Sequence, residues 1–474
     1  MIIDYADVTG GCDALEGFRT GWYGCLTRRA DALFELGDAM LCAPGPVRDL
    51  AHLSLVPVHR RGHGGLYDGL NAGRIEVAGA RDLFAGQQLP KVAGPDGRAG
   101  LVLAVDVSNW LRPDAATSPD RLFCHTYSRG QGQAQMIPGW PYSFVAALEA
   151  GPTSWTALLD ATRLGPDDDL TTVTAIQLRA VVGRLADAGH HRPGDPDVLI
   201  ALDAGYDVVR LAWLLQDLPV TLVGRVRSDR VFHAPAGQRQ GPTKGRPPRH
   251  GRRLKLNDPS TWPAPDHETT NPTGRYGTAR TVAFDRMHQR VTARAGWERH
   301  PGQLPVIEGT LLQLAVDRLP GDRDPKPVWL WASTTAATNA DIDHWWAMYL
   351  RRFDLEHTFR MLKQTLGWTT PMLRDPNAAD NWTWVVLAAH TQLRLARPIA
   401  ADHRLPWQRP APPGCLTPAR VRRDFRNIHQ NMTNPANAPK PTRPGPGRPP
   451  GTKNRTRAPR PPIGKKHPKA KLKG

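Results

Sequence analysis

Two kinds of apolar spacing divide the chain. Residues 12–60 place apolar side chains three and four apart, as in "DALFELGDAMLCA", which predicts helices, and the pattern stops at "RGHGG" near residue 62. Residues 1–97 are therefore expected to form a helical N-terminal domain. After "GPDGRAG" (94–100) the period changes: "LVLAVDVSNW" is a continuous apolar run of strand length, expected to be a buried strand ending at Asp106. "LFCHTYS" and "AQMIPGWPYSFVAAL" read as its antiparallel partners, and a helix follows over about 169–189. "DVLIALDAGYD" then repeats the strand-and-acid pattern with Asp203, and "DVVRLAWLLQD" reads as a helix returning to the sheet.

A further strand, "PVTLVGRV", runs into residues 225–265, where the paired prolines of "KGRPPRHGRR" exclude a helix or a central strand and predict a basic loop. Strand-like alternation resumes over 279–298 and 306–317, and "KPVWLWAST" (326–334) reads as the last strand of the core. One long helix through 348–367, capped by Asn339 or Asp341, comes next, and a second spans about 377–396. From Pro398 onward the chain is Pro-rich and basic, with no packed domain expected beyond a short helix near 417–430. The expected fold class is α/β: a mixed sheet flanked by helices, with a β-rich insertion, a helical N-terminal domain and a largely disordered basic tail over 398–474.

Charge sharpens the picture at both basic segments. Residues 401–474 carry 18 Lys or Arg against Asp402 and Asp424, so +16 of the net charge of +18 lies there. Residues 225–256 hold ten Lys or Arg against one Asp. Such density favours a polyanionic partner through counterion release, and no amphipathic apolar face accompanies it as a membrane surface would require. The five cysteines are scattered without C-x-x-C spacing, which fits a reducing compartment and argues against a disulfide framework or a zinc ribbon. No run of eighteen apolar residues and no secretion signal is visible. A cytoplasmic, nucleoid-associated protein without membrane contact is the expectation.

Two strands that each deliver an aspartate, with a glutamate on a later helix, have the arrangement that two-metal phosphoryl transfer needs. Asp106, Asp203 and Glu356 are the candidates, and hard Mg²⁺ asks only for carboxylates, water and phosphate oxygen. Each aspartate alone could equally cap a strand or form a turn. On a continuous helix Tyr349, Arg352, Glu356 and Lys363 share an arc of about 60°, beside an apolar seam of Leu355, Phe359, Leu362 and Leu366. An ordinary Arg352–Glu356 pair would explain part of that stripe. Cations that grip DNA phosphates next to a metal-holding carboxylate would explain all of it.

The spacing Y-x2-R-x3-E-x6-K in "YLRRFDLEHTFRMLK" resembles the signature of a large group of insertion-sequence transposases in the DDE superfamily, and the match is complete at all four positions. "LAVDVSNW" and "IALDAGYD" resemble the strands that carry the two aspartates in that group. The basic interruption over about 225–325 resembles its insertion. The resemblance covers about residues 98–397 and implies an RNase H-like catalytic domain with a metal-binding triad of Asp106, Asp203 and Glu356. It further implies Mg²⁺ (or Mn²⁺) as cofactor, Tyr349, Arg352 and Lys363 as contacts to double-stranded DNA, and cut-and-paste excision and integration, with a homodimer in the synaptic complex. Members often stack a flipped base on an aromatic side chain; Trp213, Trp262, Trp297, Trp329 and Trp331 are all available here, and core packing would account for each.

"KGRPP" (244–248) and "PGRPPGTKNRTRAPRPP" (446–462) resemble AT-hooks, which would lay Arg246 and Arg448 in a narrow minor groove; plain phosphate attraction is the simpler role. Two other functions suit the same residues: an RNase H-like nuclease without strand transfer, and a non-catalytic DNA-binding descendant of a transposase.

Overall fold

The computed structural model describes residues 5–127, 134–151, 153–237, 247–294, 296–298, 300–319, 325–412, 414–440, 451 and 456–464. Its elements, in chain order, begin with α1 (Tyr5–Gly24), β1 (Leu26–Arg28), α2 (Ala30–Cys42), α3 (Leu50–Leu53), α4 (His63–Ala72), β2 (Arg74–Ile75) and α5 (Val77–Ala85). After the short β3 (Val92–Ala93) and β4 (Ala99–Gly100) come β5 (Val102–Leu111), β6 (Leu122–Tyr127), β7 (Ala134–Leu148), β8 (Thr156–Arg163), α6 (Leu170–Asp187), β9 (Val198–Leu202), α7 (Val208–Leu214) and β10 (Val220–Val226). The next stretch is almost all strand: β11 (Val231–His233), β12 (Arg253–Lys255), β13 (His267–Thr273), β14 (Gly277–Gln289), β15 (Gly309–Val316) and β16 (Val328–Ala332). Four helices end the series: α8 (Asn339–Arg351), α9 (Phe353–Arg360), α10 (Pro376–Ala396) and α11 (Pro418–Gln430).

One large mixed sheet organises the molecule. Its centre is parallel: β5 pairs with β9 and β9 with β10, and every side chain of β9, "VLIAL", is buried, as a strand covered on both faces requires. β7 runs antiparallel to β5, and its far edge is shared in succession by β6 and β8. On the other side β16 pairs antiparallel with β10, and β15 and β14 extend the sheet outward from it. This is a mixed α/β architecture of the RNase H-like kind, and the segment between β10 and β16 continues the same sheet rather than forming a separate layer. The basic loop expected over 225–265 contains β11 and β12, whose strand pairs carry Phe232 and Leu254 into the core.

The N-terminal helices do not keep a core to themselves. Leu15, Phe18, Leu33 and Leu36 share one hydrophobic cluster with Trp382, Val385 and Ala389 of α10. Polar contacts tie the same layers: Asn381 donates to the carbonyls of Leu70 and Gly73, and Arg19 on α1 donates to Gln392 on α10. Residues 398–440, expected to lie outside a packed domain apart from a short helix, join this cluster. On α11 Val421 and Phe425 are fully buried, and buried Arg422 donates to the carbonyls of Met40 and Gly45. Beyond it Arg60 and Arg61 donate to the carbonyls of Ala436 and Asn437, holding the chain against α2 and its neighbours. An apolar residue every third or fourth position makes α11 amphipathic enough to pack despite its charge.

Candidate active site

The site is built where β5 and β9 run side by side. In the parallel register Val105 is the partner of Leu202, so the next residues on the two strands are Asp106 and Asp203. Asp203 follows the last residue of β9, as expected. Asp106 does not end its strand: β5 continues to Leu111 because the long β7 supplies partners as far as Gly139. Asp106 thus sits mid-strand, with the amide of Val107 donating to its Oδ1 at 2.8 Å.

The long helix expected over 348–367 is broken into three pieces. Thr338, not Asn339, caps α8, in a capping box with Asp341. α8 ends at Arg351, α9 starts at Phe353, and Met361–Thr365 is a π-helical turn. The single arc of an unbroken helix is therefore interrupted twice, and π turns concentrate at functional sites. Arg352 stands at the first break. From there its Nη1 donates to Asp106 Oδ2 at 2.5 Å, and its Nη2 lies 3.6 Å from Asp203 Oδ2.

The other predicted residues gather around this bridge. Tyr349, buried on α8, donates its hydroxyl to Asp203 Oδ1 at 3.4 Å and lies under the Arg352 guanidinium. Glu356 is exposed one turn beyond Arg352 on α9, and its charge acts on Asp106, Arg352 and Lys363. Lys363, in the π turn, sets its ammonium 5.5 Å from the centre of the Trp368 ring. Arg246 and Arg448 lie outside the described residues. Sequence reasoning missed Arg225, whose Nη1 is 3.9 Å from Asp203 Oδ1. Its signal was a single charge inside the apolar run "TLVGRV", on the strand next to the one that delivers Asp203.

Electrostatics follow from this crowding. Burial raises the Asp106 carboxyl to about 6; the charges of Glu356 and Asp203 add to the rise, while Arg352 opposes it. For Arg352 burial works against the charged form, yet Asp106 and Asp203 outweigh it and its pKa is raised. Burial lowers Lys363, with Glu356 and Asp106 pulling the other way. Burial and the neighbouring Asp203 lift the Tyr349 phenol to about 12.

Hard oxygen donors from two strands and one helix suit Mg²⁺ or Mn²⁺, and two of the three already converge on a cation. That cation is Arg352. Among the described residues no three Asp, Glu, His or Cys side chains are gathered as an ion would gather them. The donor set fits a divalent ion in kind, with the guanidinium holding the place between the aspartates.

An RNase H-like sheet thus sets two aspartates side by side, with a glutamate on the helix beyond. The sequence matches the family model described as DDE superfamily endonuclease over residues 22–290, more than half of the chain, and the protein belongs to that family. The matched region contains Asp106 and Asp203 and ends before Tyr349. Among curated proteins none matches. Membership makes the protein transposase- or nuclease-like in the broad sense, with DNA as substrate and a general use of divalent metal ions. No helix among the described residues is long and apolar enough to cross a membrane.

Proposed function

We propose that the protein is a DNA transposase that cuts the ends of a mobile element and joins the freed 3′-hydroxyl to target DNA. The observation that carries this reading is the convergence of Asp106 and Asp203 from paired parallel strands onto Arg352, one turn before Glu356. Asp106, Asp203 and Glu356 would hold Mg²⁺, which supplies charge stabilisation for the attacking and leaving oxygens. Arg352 and Arg225 would bind phosphates flanking the cut, since a guanidinium matches two phosphate oxygens at once. Tyr349 orients the Asp203 carboxylate from the closed side of the site.

Residues 98–397 would form the catalytic unit, and the helical layer before it would recognise element ends. The basic tail would add sequence-independent affinity and keep the protein at the nucleoid; two copies would pair the two ends. A nuclease of the same fold would cut without joining. Strand cleavage and joining on labelled DNA carrying the native flanks of the gene separate the readings. Metal-dependent cutting and joined products that both vanish in Glu356→Gln are the expected result. Cutting without any joined product would leave only the nuclease.

A further inference from the structure

The cation that bridges the aspartates belongs to the chain itself. Arg352 Nη1 is 2.5 Å from Asp106 Oδ2, its Nη2 is 3.6 Å from Asp203 Oδ2, and its side chain is only 12 % exposed. The remaining aspartate oxygens are also engaged. Asp106 Oδ1 accepts from the Val107 amide, and Asp203 Oδ1 faces the Tyr349 hydroxyl and Arg225. A divalent ion must compete with a guanidinium that touches one carboxylate and approaches the other, so it binds there weakly. Like charges repel at this distance.

We propose that Arg352 is an internal counter-cation, which neutralises Asp106 and Asp203 in the DNA-free protein and is drawn off by a DNA phosphate, so that divalent cation and DNA bind cooperatively. The local fold suits such an exchange. Buried Trp345 and Trp346 anchor α8 behind Arg352, and buried Leu355 and Phe359 anchor α9 beyond it. The backbone at the break is thereby fixed from both sides, and the exchange needs only side-chain rotation. A phosphate is the fitting competitor because it offers two oxygens in the planar geometry that a guanidinium prefers. Linkage then makes the coupling reciprocal: whatever factor DNA adds to cation affinity, the cation adds to DNA affinity. The DNA-free protein thus loads ions only weakly.

This inference rests on the proposed reading that Asp106 and Asp203 hold divalent ions, and the test separates the two. Mn²⁺ binding to the full-length protein without DNA would be followed by electron paramagnetic resonance of free Mn²⁺, for wild type, Arg352→Gln and Asp106→Asn. Affinity for a short generic duplex would then be measured with and without Mn²⁺ by fluorescence anisotropy. Arg352→Gln should bind Mn²⁺ at least about tenfold more tightly than wild type, the equivalent of removing one competing interaction of about 1.4 kcal/mol. Asp106→Asn should lose the ion. Mn²⁺ should tighten duplex binding by wild type by a factor within about 5 to 150, and leave binding by Arg352→Gln nearly unchanged.

Equal Mn²⁺ affinity in wild type and Arg352→Gln, with loss in Asp106→Asn, would overturn the counter-cation and leave the metal reading intact. Unchanged Mn²⁺ binding in Asp106→Asn would overturn both. Circular dichroism confirms folding of each variant; Arg352→Met, which also removes the charge, replaces Arg352→Gln if the latter fails to fold and is held to the same criteria.

Discussion

Two arginine–aspartate clusters link distant parts of this chain, and they are built to opposite ends. In the helical layer Arg19 faces Asp38 with two hydrogen bonds of 2.6 and 3.0 Å, both side chains essentially inaccessible. Gln392 accepts a further bond from Arg19, His429 approaches Asp38 Oδ2 at 3.0 Å, and the Phe34 ring lies under the guanidinium. Both Asp38 oxygens and both Arg19 Nη nitrogens are paired, while Arg19 Nε is buried without a hydrogen-bond partner. At the sheet, Arg352 is shared by Asp106 and Asp203, with Glu356 close by and one of its two ion pairs stretched to 3.6 Å. The first cluster is closed to solvent and fastens α1, α2, α10 and α11 together. The second sets Asp106, Asp203 and Glu356 against Arg352, Arg225 and Lys363, with Asp203 about a third exposed and its contacts long, a fastening that holds only until a better cation or anion arrives.

That contrast can be broken from either end. The largest effect is expected in the closed cluster: Asp38→Asn leaves Arg19 buried without its counter-charge and should cost about 3–5 kcal/mol in denaturant unfolding. DNA cleavage per folded molecule should be retained. At the open cluster Asp106→Asn should lower cleavage by about 10²-fold or more, because it deletes charge at the reacting centre, with little change in unfolding free energy. A quench-flow or gel assay beside the same denaturant titration reads both quantities.

A smaller effect concerns acid. Burial depresses His288 to about 4 and His390 to about 3, below their ordinary 6.5, so the unfolded chain takes up more protons than the folded one as pH falls below about 6.5. Stability present above that pH should decline toward pH 4, by about 1.4 kcal/mol per pH unit for each proton taken up. Both ring nitrogens of His390 are buried without a hydrogen-bond partner, so His390→Met should flatten that acid limb in a pH series of thermal melts. The smallest effect is at the tail. Deleting residues 441–474 spares the strap at Ala436 and Asn437 and should weaken nonspecific DNA binding, lowering its log–log salt slope by roughly 0.9 for each phosphate that the tail neutralises. An unchanged slope would remove the tail from the interface.

The sequence made the strand pattern of the sheet legible, because "LVLAVDVSNW" and "DVLIALDAGYD" are apolar runs that only a buried strand accommodates, each interrupted by an acid. It did not reveal that β5 runs on past Asp106, since that depends on the length of β7, a partner some thirty residues away. The docking of α11 on α2 was hidden in the same way: Arg422 reads as one more basic residue until Met40 and Gly45 offer it carbonyls. At the site the four spaced residues drew attention to the helical segments that pack against the two aspartates. No proline or glycine marks the break at Arg352 or the π turn after it, so nothing local signalled that the arginine would turn back onto both aspartates. Arg225 escaped for a related reason: a charge on a neighbouring strand reaches Asp203 only through sheet register.

One substitution from each cluster, paired in a single experiment, decides whether the open cluster carries the chemistry: DNA cleavage by Asp106→Asn and by Asp38→Asn, each with its unfolding curve. Asp106→Asn is expected to melt like the wild type and not to cut, while Asp38→Asn should melt early and still cut below its transition. Cutting by Asp106→Asn at the wild-type rate would refute the assignment, because the aspartate that Arg352 holds would then have no part in the chemistry.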